Sequence, residues 1–217
     1  MGRDSACRKR CQLLVKYSCH KFNMASLGDI ITSKVRIKVL ELFFSNLKEL
    51  YHVRGVVRET DEEINAIRRE LDKFEKDGIL RKEPRGNRVY YSLRPEHPLY
   101  GDLTAIVAKT TGLGKQLIEN RNKIGKVSFI MFSGKFARMK DRKREDDVDI
   151  LFVGDVVLPE LAALIRAEES KRNREINYTV MSRDELDFRK KRRDPFLTGI
   201  LAGSRIMIVG DEEDLVS

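Results

Sequence analysis

The chain has 217 residues, of which 35% are charged, and it carries a formal net charge of +9. It contains no apolar run of about 18 residues, so no membrane-spanning helix is expected. All three cysteines, Cys7, Cys11 and Cys19, lie before residue 20. This distribution excludes a disulfide framework in the rest of the chain and favours a reducing, cytoplasmic location.

Residues 1–24 are expected to form a basic, disordered leader. Residues 1–23 hold six lysines and arginines and one acid, so they carry +5 of the net charge. The apolar part is too short for a secretory signal, and the spacing of the cysteines with His20 matches no standard zinc module. An alternative is translation from an upstream start, with Met24 as the functional beginning.

Residues 25–97 have the pattern of a small helical domain followed by a β-hairpin. Apolar residues recur at helical spacing, Thr60 or Asp61 is placed to cap the third helix, and Gly78 is placed to end it. A glycine also lies at the tip of the hairpin, within residues 83–87. The pattern predicts helices over 30–43, 52–59 and 62–77, and strands over 47–51, 79–82 and 88–93.

The phrase RRELDKFEKDGILRKEPRGNRVYYSL, in residues 68–93, resembles the winged helix-turn-helix of ArsR-like regulators. The resemblance implies that the third helix enters the major groove of double-stranded DNA and that the hairpin, or wing, contacts the backbone or minor groove. The DNA contacts carried over by position are Asn65, Arg68, Arg69, Arg85, Asn87 and Arg88.

The charges of these two elements differ in sign. Residues 61–77 contain seven acids and four bases, whereas residues 81–94 contain five bases and one acid. The net charges are therefore −3 and +4, so the wing is expected to supply most of the electrostatic attraction to phosphates. An alternative is a winged helix used only for dimerisation or protein contact.

Residues 98–124 are expected to form a helical linker, because the prolines around His97 interrupt regular structure just before it. Two helices are predicted, over 99–111 and 112–124. The remaining part, residues 125–217, begins with an apolar strand and a glycine turn at Ser133-Gly134. A second strand is predicted to carry Asp147 and Asp149 on one face, where two carboxylates can chelate Mg²⁺.

This arrangement resembles the minimal nucleotidyltransferase superfamily, which has the DNA-polymerase-β-like fold. The family pattern is an apolar strand, Gly-Ser-x-Ala-Arg/Lys-Gly, a short loop and Asp-x-Asp. The resemblance implies that Asp147 and Asp149 are catalytic metal ligands. It also implies a nucleotide (NTP) site at Gly134, Lys135 and Arg138.

Three positions depart from that family pattern. Lys135 replaces the phosphate-binding serine, Met139 replaces the second glycine, and Asn177 stands where a third catalytic carboxylate belongs, in the predicted strand 175–181. An amide can ligate a metal but cannot act as a base. Glu175, two residues earlier, is an alternative carboxylate.

From about Ile30 to Leu215, nearly the whole chain thus resembles α+β proteins that join a winged helix-turn-helix to a mixed-sheet nucleotidyltransferase-like domain. One hypothesis is a DNA-binding transcriptional regulator, expected to be a homodimer, whose second domain is degenerate. The alternative is an active Mg²⁺-dependent enzyme that transfers a nucleoside monophosphate from NTP to a protein, RNA or small molecule. Two basic runs, at 140–144 and 189–193, are read as solvated faces, or, for the first, as a contact for phosphate or nucleic acid.

Overall fold

The computed structural model describes residues 27–140 and 147–217 and has an α+β fold with two separate sheets. The predicted leader and most of the first basic run therefore lie outside the described residues. The first half of the chain contains these elements: α1 (Leu27–Ile30), α2 (Lys34–Ser45), β1 (Tyr51–His52), α3 (Val53–Thr60), α4 (Ile64–Lys76), β2 (Leu80–Arg85) and β3 (Arg88–Leu93).

The first sheet is antiparallel, in the order β1-β3-β2, and it packs with α2, α3 and α4 around one apolar core. The predicted hairpin is confirmed, and its strands pair from Leu80↔Leu93 to Arg85↔Arg88. The predicted strand over 47–51 is wrong except at its end, because only Tyr51 and His52 pair with β3.

The N-terminus of α4 is capped by a residue that the sequence pattern did not indicate. Glu63 is the N-cap, and its carboxylate accepts the N–H groups of Asn65 and Ala66, each at 2.8 Å. These backbone donors hold the pKa of Glu63 below its ordinary value. The prediction that Thr60 or Asp61 caps this helix is wrong. Asp61 takes a left-handed conformation that ends α3, and the Thr60 hydroxyl donates to the Val56 carbonyl.

The second half of the chain contains three linker helices and a second sheet with flanking helices. The linker was predicted as two helices, but the second breaks at Asn120. The elements are α5 (Tyr100–Thr110), α6 (Gly112–Glu119), α7 (Arg121–Ile124), β4 (Gly125–Ser133), α8 (Gly134–Ala137), β5 (Ile150–Val156), α9 (Leu158–Arg172), β6 (Tyr178–Met181), α10 (Arg183–Lys191), α11 (Pro195–Ala202), β7 (Arg205–Val209) and α12 (Glu212–Val216).

The second sheet is mixed, with the order β6-β5-β4-β7. Strand β5 is parallel to β6, and α9 connects them; β4 is antiparallel to both β5 and β7. The alternating side chains of β5 enter two apolar clusters: Ile150 and Phe152 in one, Leu151 and Val153 in the other. The sheet therefore has an apolar layer on each face.

Helix α5 joins the two halves of the chain. Val107 belongs to the core of the first half. Its neighbour Ala108 packs against the apolar cluster of the second half that contains Ile150 and Phe152. Within the described residues, no helix combines the length and the apolar character needed to cross a lipid bilayer.

A partly buried ion pair between Arg36 and Glu70 links α2 to α4. Glu70 accepts from Arg36 Nε at 2.8 Å and from Lys73 Nζ at 3.4 Å, and its side chain is 10% exposed. Burial raises the pKa of Glu70, but these two cations outweigh it, so the pKa lies below its ordinary value of 4.5.

We expect Glu70→Gln to lower the free energy of unfolding at pH 7 by about 1.5–3 kcal/mol, the range for losing a hydrogen bond to a charged group. Because the folded pKa is depressed, this contribution is present above pH 4.5 and is lost as the pH falls through the folded value. Denaturant unfolding at several pH values measures the effect. Glu75→Gln, an exposed change on the same helix, is the control. Equal stability of the two variants at pH 7 would contradict the assignment.

Candidate functional site

The predicted site residues lie in two separate regions of the structure. Asn65, Arg68 and Arg69 are all exposed on α4. Their spacing of three and four residues places them on one side of the helix, while Ile67 and Leu71 on the other side are fully buried. All three candidate contacts on this helix are therefore accessible from solvent.

The β2–β3 hairpin carries the other three predicted DNA contacts at its tip. Arg85, Asn87 and Arg88 are exposed, and the two-residue turn between the strands has Gly86 at a φ of 59°. Arg85 donates to Glu83 at 3.1 Å, and its guanidinium lies 5.8 Å from the centre of the Tyr90 ring. These contacts hold Arg85 along the hairpin, with its side chain 52% exposed.

The two aspartates lie just before β5 and not on it, which corrects the sequence prediction. β5 begins at Ile150 because its partner β4 ends at Ser133 and turns into α8. Asp149 still extends the ladder by one bond on each side: its carbonyl accepts from Ser133 N at 2.8 Å, and its N–H donates to Asn177 O at 2.7 Å. Asp147 lies two residues farther from the strand.

Asn177 joins both aspartates. Its backbone N–H donates to Asp149 Oδ2 at 3.1 Å, and its side-chain Nδ2 donates to the Asp147 carbonyl at 3.2 Å. Asp149 is only 1% exposed, so this hydrogen bond satisfies a buried carboxylate. The structure therefore brings the three predicted catalytic residues together, with Asn177 in a donating role.

Lys135 lies beside the aspartates and forms an ion pair with one of them. Its Nζ is 2.6 Å from Asp147 Oδ2, in a contact where the two side chains are 40% and 24% exposed. At this distance the ammonium group occupies one face of the carboxylate that the family resemblance assigns to a metal. The two carboxylates thus have different partners and different exposure.

Gly134 has a packing role that the sequence did not reveal. Its N–H donates to the Ser204 carbonyl at 2.6 Å, so this donor points to the chain just before β7. A Cβ added at Gly134 would lie 2.0 Å from Ser204 Oγ and 2.8 Å from Ser204 O. Ser133 caps α8 through its hydroxyl, which accepts from Phe136 N at 3.2 Å. The glycine is therefore explained by close approach of two backbone segments.

Arg138 and Glu175, the other residues named from the resemblance, are placed less centrally. Arg138 follows α8 and lies near Tyr100. Burial raises the pKa of the Tyr100 hydroxyl, and the positive charge of Arg138 opposes that rise. Glu175 is exposed, three residues before β6 begins. The main chain at Met139 has a φ of 49°, a conformation that favours the glycine found in the family pattern.

The donor set fits a resident Mg²⁺ poorly. Mg²⁺ prefers oxygen ligands in octahedral geometry, with charge supplied by carboxylates. Here an ammonium group is paired with Asp147, and the buried Asp149 accepts a backbone N–H. No group of three His, Cys, Asp or Glu residues suited to a metal occurs within the described ranges.

A cavity of about 260 Å³ opens where the two halves of the chain meet, beside α8. Phe44 of α2, Thr104 of α5 and Phe136 of α8 line it, together with an ion pair on α9. In that pair, Glu168 is 5% exposed and accepts from Arg172 Nε at 2.7 Å. The sequence analysis missed this pair; the spacing of four residues on one helix was the available signal.

Comparison with known proteins gives no assignment. No protein-family model matches the chain, and no curated protein matches it significantly. Among solved structures, it is similar to human N-acetylserotonin methyltransferase in complex with SAM, with 13% identity over 93% of this chain and 49% of that one. The chain thus spans about half the length of that enzyme. The TM-score is 0.28, and at that value the likeness supports no conclusion about fold or activity.

We expect Gly134→Ala to destabilise the protein by about 1–3 kcal/mol, the cost of overpacking a close contact. The new methyl group would overlap both the side chain and the carbonyl of Ser204. Thermal unfolding measures the change. Gly199→Ala in α11 is the control, since nothing lies within 4 Å of its added Cβ and alanine favours a helix. A Gly134→Ala protein as stable as the wild type would contradict the packing role.

Proposed function

We propose that the chain is a transcriptional regulator that binds double-stranded DNA through a winged helix-turn-helix in its first half. The observation that carries the proposal is the exposure of all six candidate contacts on two successive elements, α4 and the β2–β3 hairpin. In the proposed complex, α4 lies in the major groove with Asn65 and Arg68 facing base edges. The hairpin follows the phosphate backbone.

The ion pairs of the arginines support this assignment. Among the described residues, Arg68, Arg69 and Arg88 form no salt bridge, whereas Arg36 is held by Glu70. An arginine without an ion-pair partner can donate to phosphate without first losing an internal contact. The local charges, −3 over residues 61–77 and +4 over residues 81–94, favour the hairpin as the main source of attraction.

We further propose that the second half is a degenerate nucleotidyltransferase-like domain, with no catalytic turnover. Three contacts support the proposal: the Lys135–Asp147 ion pair, the hydrogen bond from Asn177 N to the buried Asp149, and the packing of Gly134 on Ser204. Each occupies a group that the catalytic family pattern would use for metal or phosphate. The acidic cluster, Asp147 and Asp149, then has a structural role: its hydrogen bonds to Asn177 link the starts of β5 and β6.

A second candidate function is an active Mg²⁺-dependent nucleotidyltransferase. The observation that favours it is the meeting of Asp147, Asp149 and Asn177 at the start of two parallel strands, β5 and β6. In this case Lys135 would have to leave Asp147 when NTP and the metal bind.

A cytoplasmic location and a homodimer that reads two half-sites complete the regulator proposal.

The hairpin assignment is tested with the double variant Arg85→Ala and Arg88→Ala. We expect duplex DNA affinity to fall roughly tenfold at moderate salt, because two phosphate contacts are lost. The slope of log affinity against log salt should become shallower by about 2. Fluorescence anisotropy over a salt series measures both quantities on the full chain.

The matched control for the hairpin is Arg166→Ala with Lys171→Ala, which removes the same charge from the exposed face of α9. This variant should bind duplex DNA as the wild type does. Identical losses in the two double variants would mean that only net charge matters, and the wing assignment would then be wrong.

The degenerate state of the second half is tested with labelled ATP, CTP, GTP and UTP in the presence of Mg²⁺ or Mn²⁺. We expect the wild-type chain to transfer no label to itself, to RNA or to added protein. If label is transferred, Asp147→Asn distinguishes enzyme from contaminant, because Asp147 is partly exposed and its replacement should spare the fold. Transfer that disappears in this variant would replace the regulator-only proposal with the enzyme.

A further inference from the structure

Helices α10 and α11 present a surface that neither the wing nor the acidic cluster explains. We call it the aromatic–basic patch and define it by five exposed residues: Phe188, Lys191, Arg192, Arg193 and Phe196. The residues come from the end of α10, the turn after it and the start of α11. Two phenylalanines and three cations thus share a short stretch of surface chain.

The two phenylalanines are unusually open to solvent. Phe188 is 54% exposed and Phe196 is 40% exposed, although Leu186 and Leu197 on the same two helices are almost completely buried. The helices are therefore anchored by other side chains, and the rings do not serve the core. An exposed apolar surface rimmed by polar residues is typical of an interaction site.

Arginines hold both rings in place. The Arg192 guanidinium lies 4.5 Å from the centre of the Phe188 ring, and the Arg189 guanidinium lies 5.8 Å from the centre of the Phe196 ring. Arg189 is itself held by Glu185 at 2.8 Å and by Asp194 at 3.5 Å. A ring restrained in this way loses little side-chain freedom when another flat group stacks on it.

The cations of the patch are available to a polyanion. Within the described part of the chain, Lys191, Arg192 and Arg193 form no salt bridge, and residues 189–193 contain five bases and no acid. Arg193 has a φ of 51°, so the chain turns sharply there and places successive cations around the corner between the helices. A run of cations of this kind attracts the phosphates of a nucleic acid strand.

We propose that the aromatic–basic patch binds single-stranded nucleic acid, with bases stacking on Phe188 and Phe196 and the backbone lying along Lys191 and Arg193. Stacking requires bases that are not already stacked in a duplex, so the patch favours single strands over double strands. This activity goes beyond the proposed regulator function and uses a different surface. Such binding tolerates many sequences, because every base has a flat face.

The test measures binding of fluorescein-labelled oligo-dT and oligo-U to the full chain by anisotropy, with a duplex of equal length as the comparison. We expect Phe188→Ala with Phe196→Ala to weaken single-strand binding by roughly tenfold or more, the effect of losing two stacked bases. Lys191→Glu with Arg193→Glu should weaken it and make the salt dependence shallower. Comparing oligo-dT with oligo-U tells whether the natural strand is DNA or RNA.

Two controls make the outcome specific. Leu158→Ala removes an apolar side chain that is 56% exposed on α9, and it should leave single-strand affinity unchanged. Arg85→Ala with Arg88→Ala should reduce duplex affinity and largely preserve single-strand affinity. If the wing variant loses nothing while the patch variants lose single-strand binding, the regulator proposal fails and the patch proposal stands.

Other results would overturn the patch proposal. One is a wild-type chain that does not bind either oligonucleotide, and another is a set of patch variants that bind as tightly as the wild type. Light scattering adds a third. If Phe188→Ala with Phe196→Ala converts a dimer to a monomer and leaves oligonucleotide affinity intact, the patch is an interface between two copies of the chain.

Discussion

The second half of the structure depends on a buried carboxylate that is satisfied by a neighbouring strand. Asp149, 1% exposed, accepts the N–H of Asn177 and donates its own N–H to the Asn177 carbonyl. This reciprocal pair joins the starts of the parallel strands β5 and β6, where an unsatisfied carboxylate would be costly. The contact stabilises this end of the sheet, and it is one of the three contacts on which the proposal of a degenerate domain rests.

The division of charge explains why the proposed functions fall on different surfaces. Lys135 is paired with Asp147, whereas Arg88 at the hairpin tip and the three cations of the aromatic–basic patch form no salt bridge within the described residues. Helix α5 contributes to both cores through Val107 and Ala108, so the two halves are packed against each other. The structure thus offers a polyanion two basic surfaces that do not share residues.

The order of helices and strands could be predicted from the sequence because apolar periodicity and glycines mark it directly. The hairpin and the end of α4 near Gly78 both follow from local chemistry. Contacts between distant segments could not be predicted. The Gly134–Ser204 approach and the Lys135–Asp147 pair depend on which strands become neighbours, and that information is absent from either segment alone. The capping by Glu63 was missed because Thr and Asp are preferred N-cap residues, and Thr60 and Asp61 lie just before it.

In the proposed regulator, α4 reads the sequence of duplex DNA. The most direct measurement is selection from a random-sequence duplex library by the full chain, in parallel with the double variant Asn65→Ala and Arg68→Ala. We expect the wild type to enrich one motif. The variant should still bind DNA but enrich no motif, because the hairpin still contacts phosphate. Enrichment of the same motif by both proteins, or of none by the wild type, would contradict this role of α4.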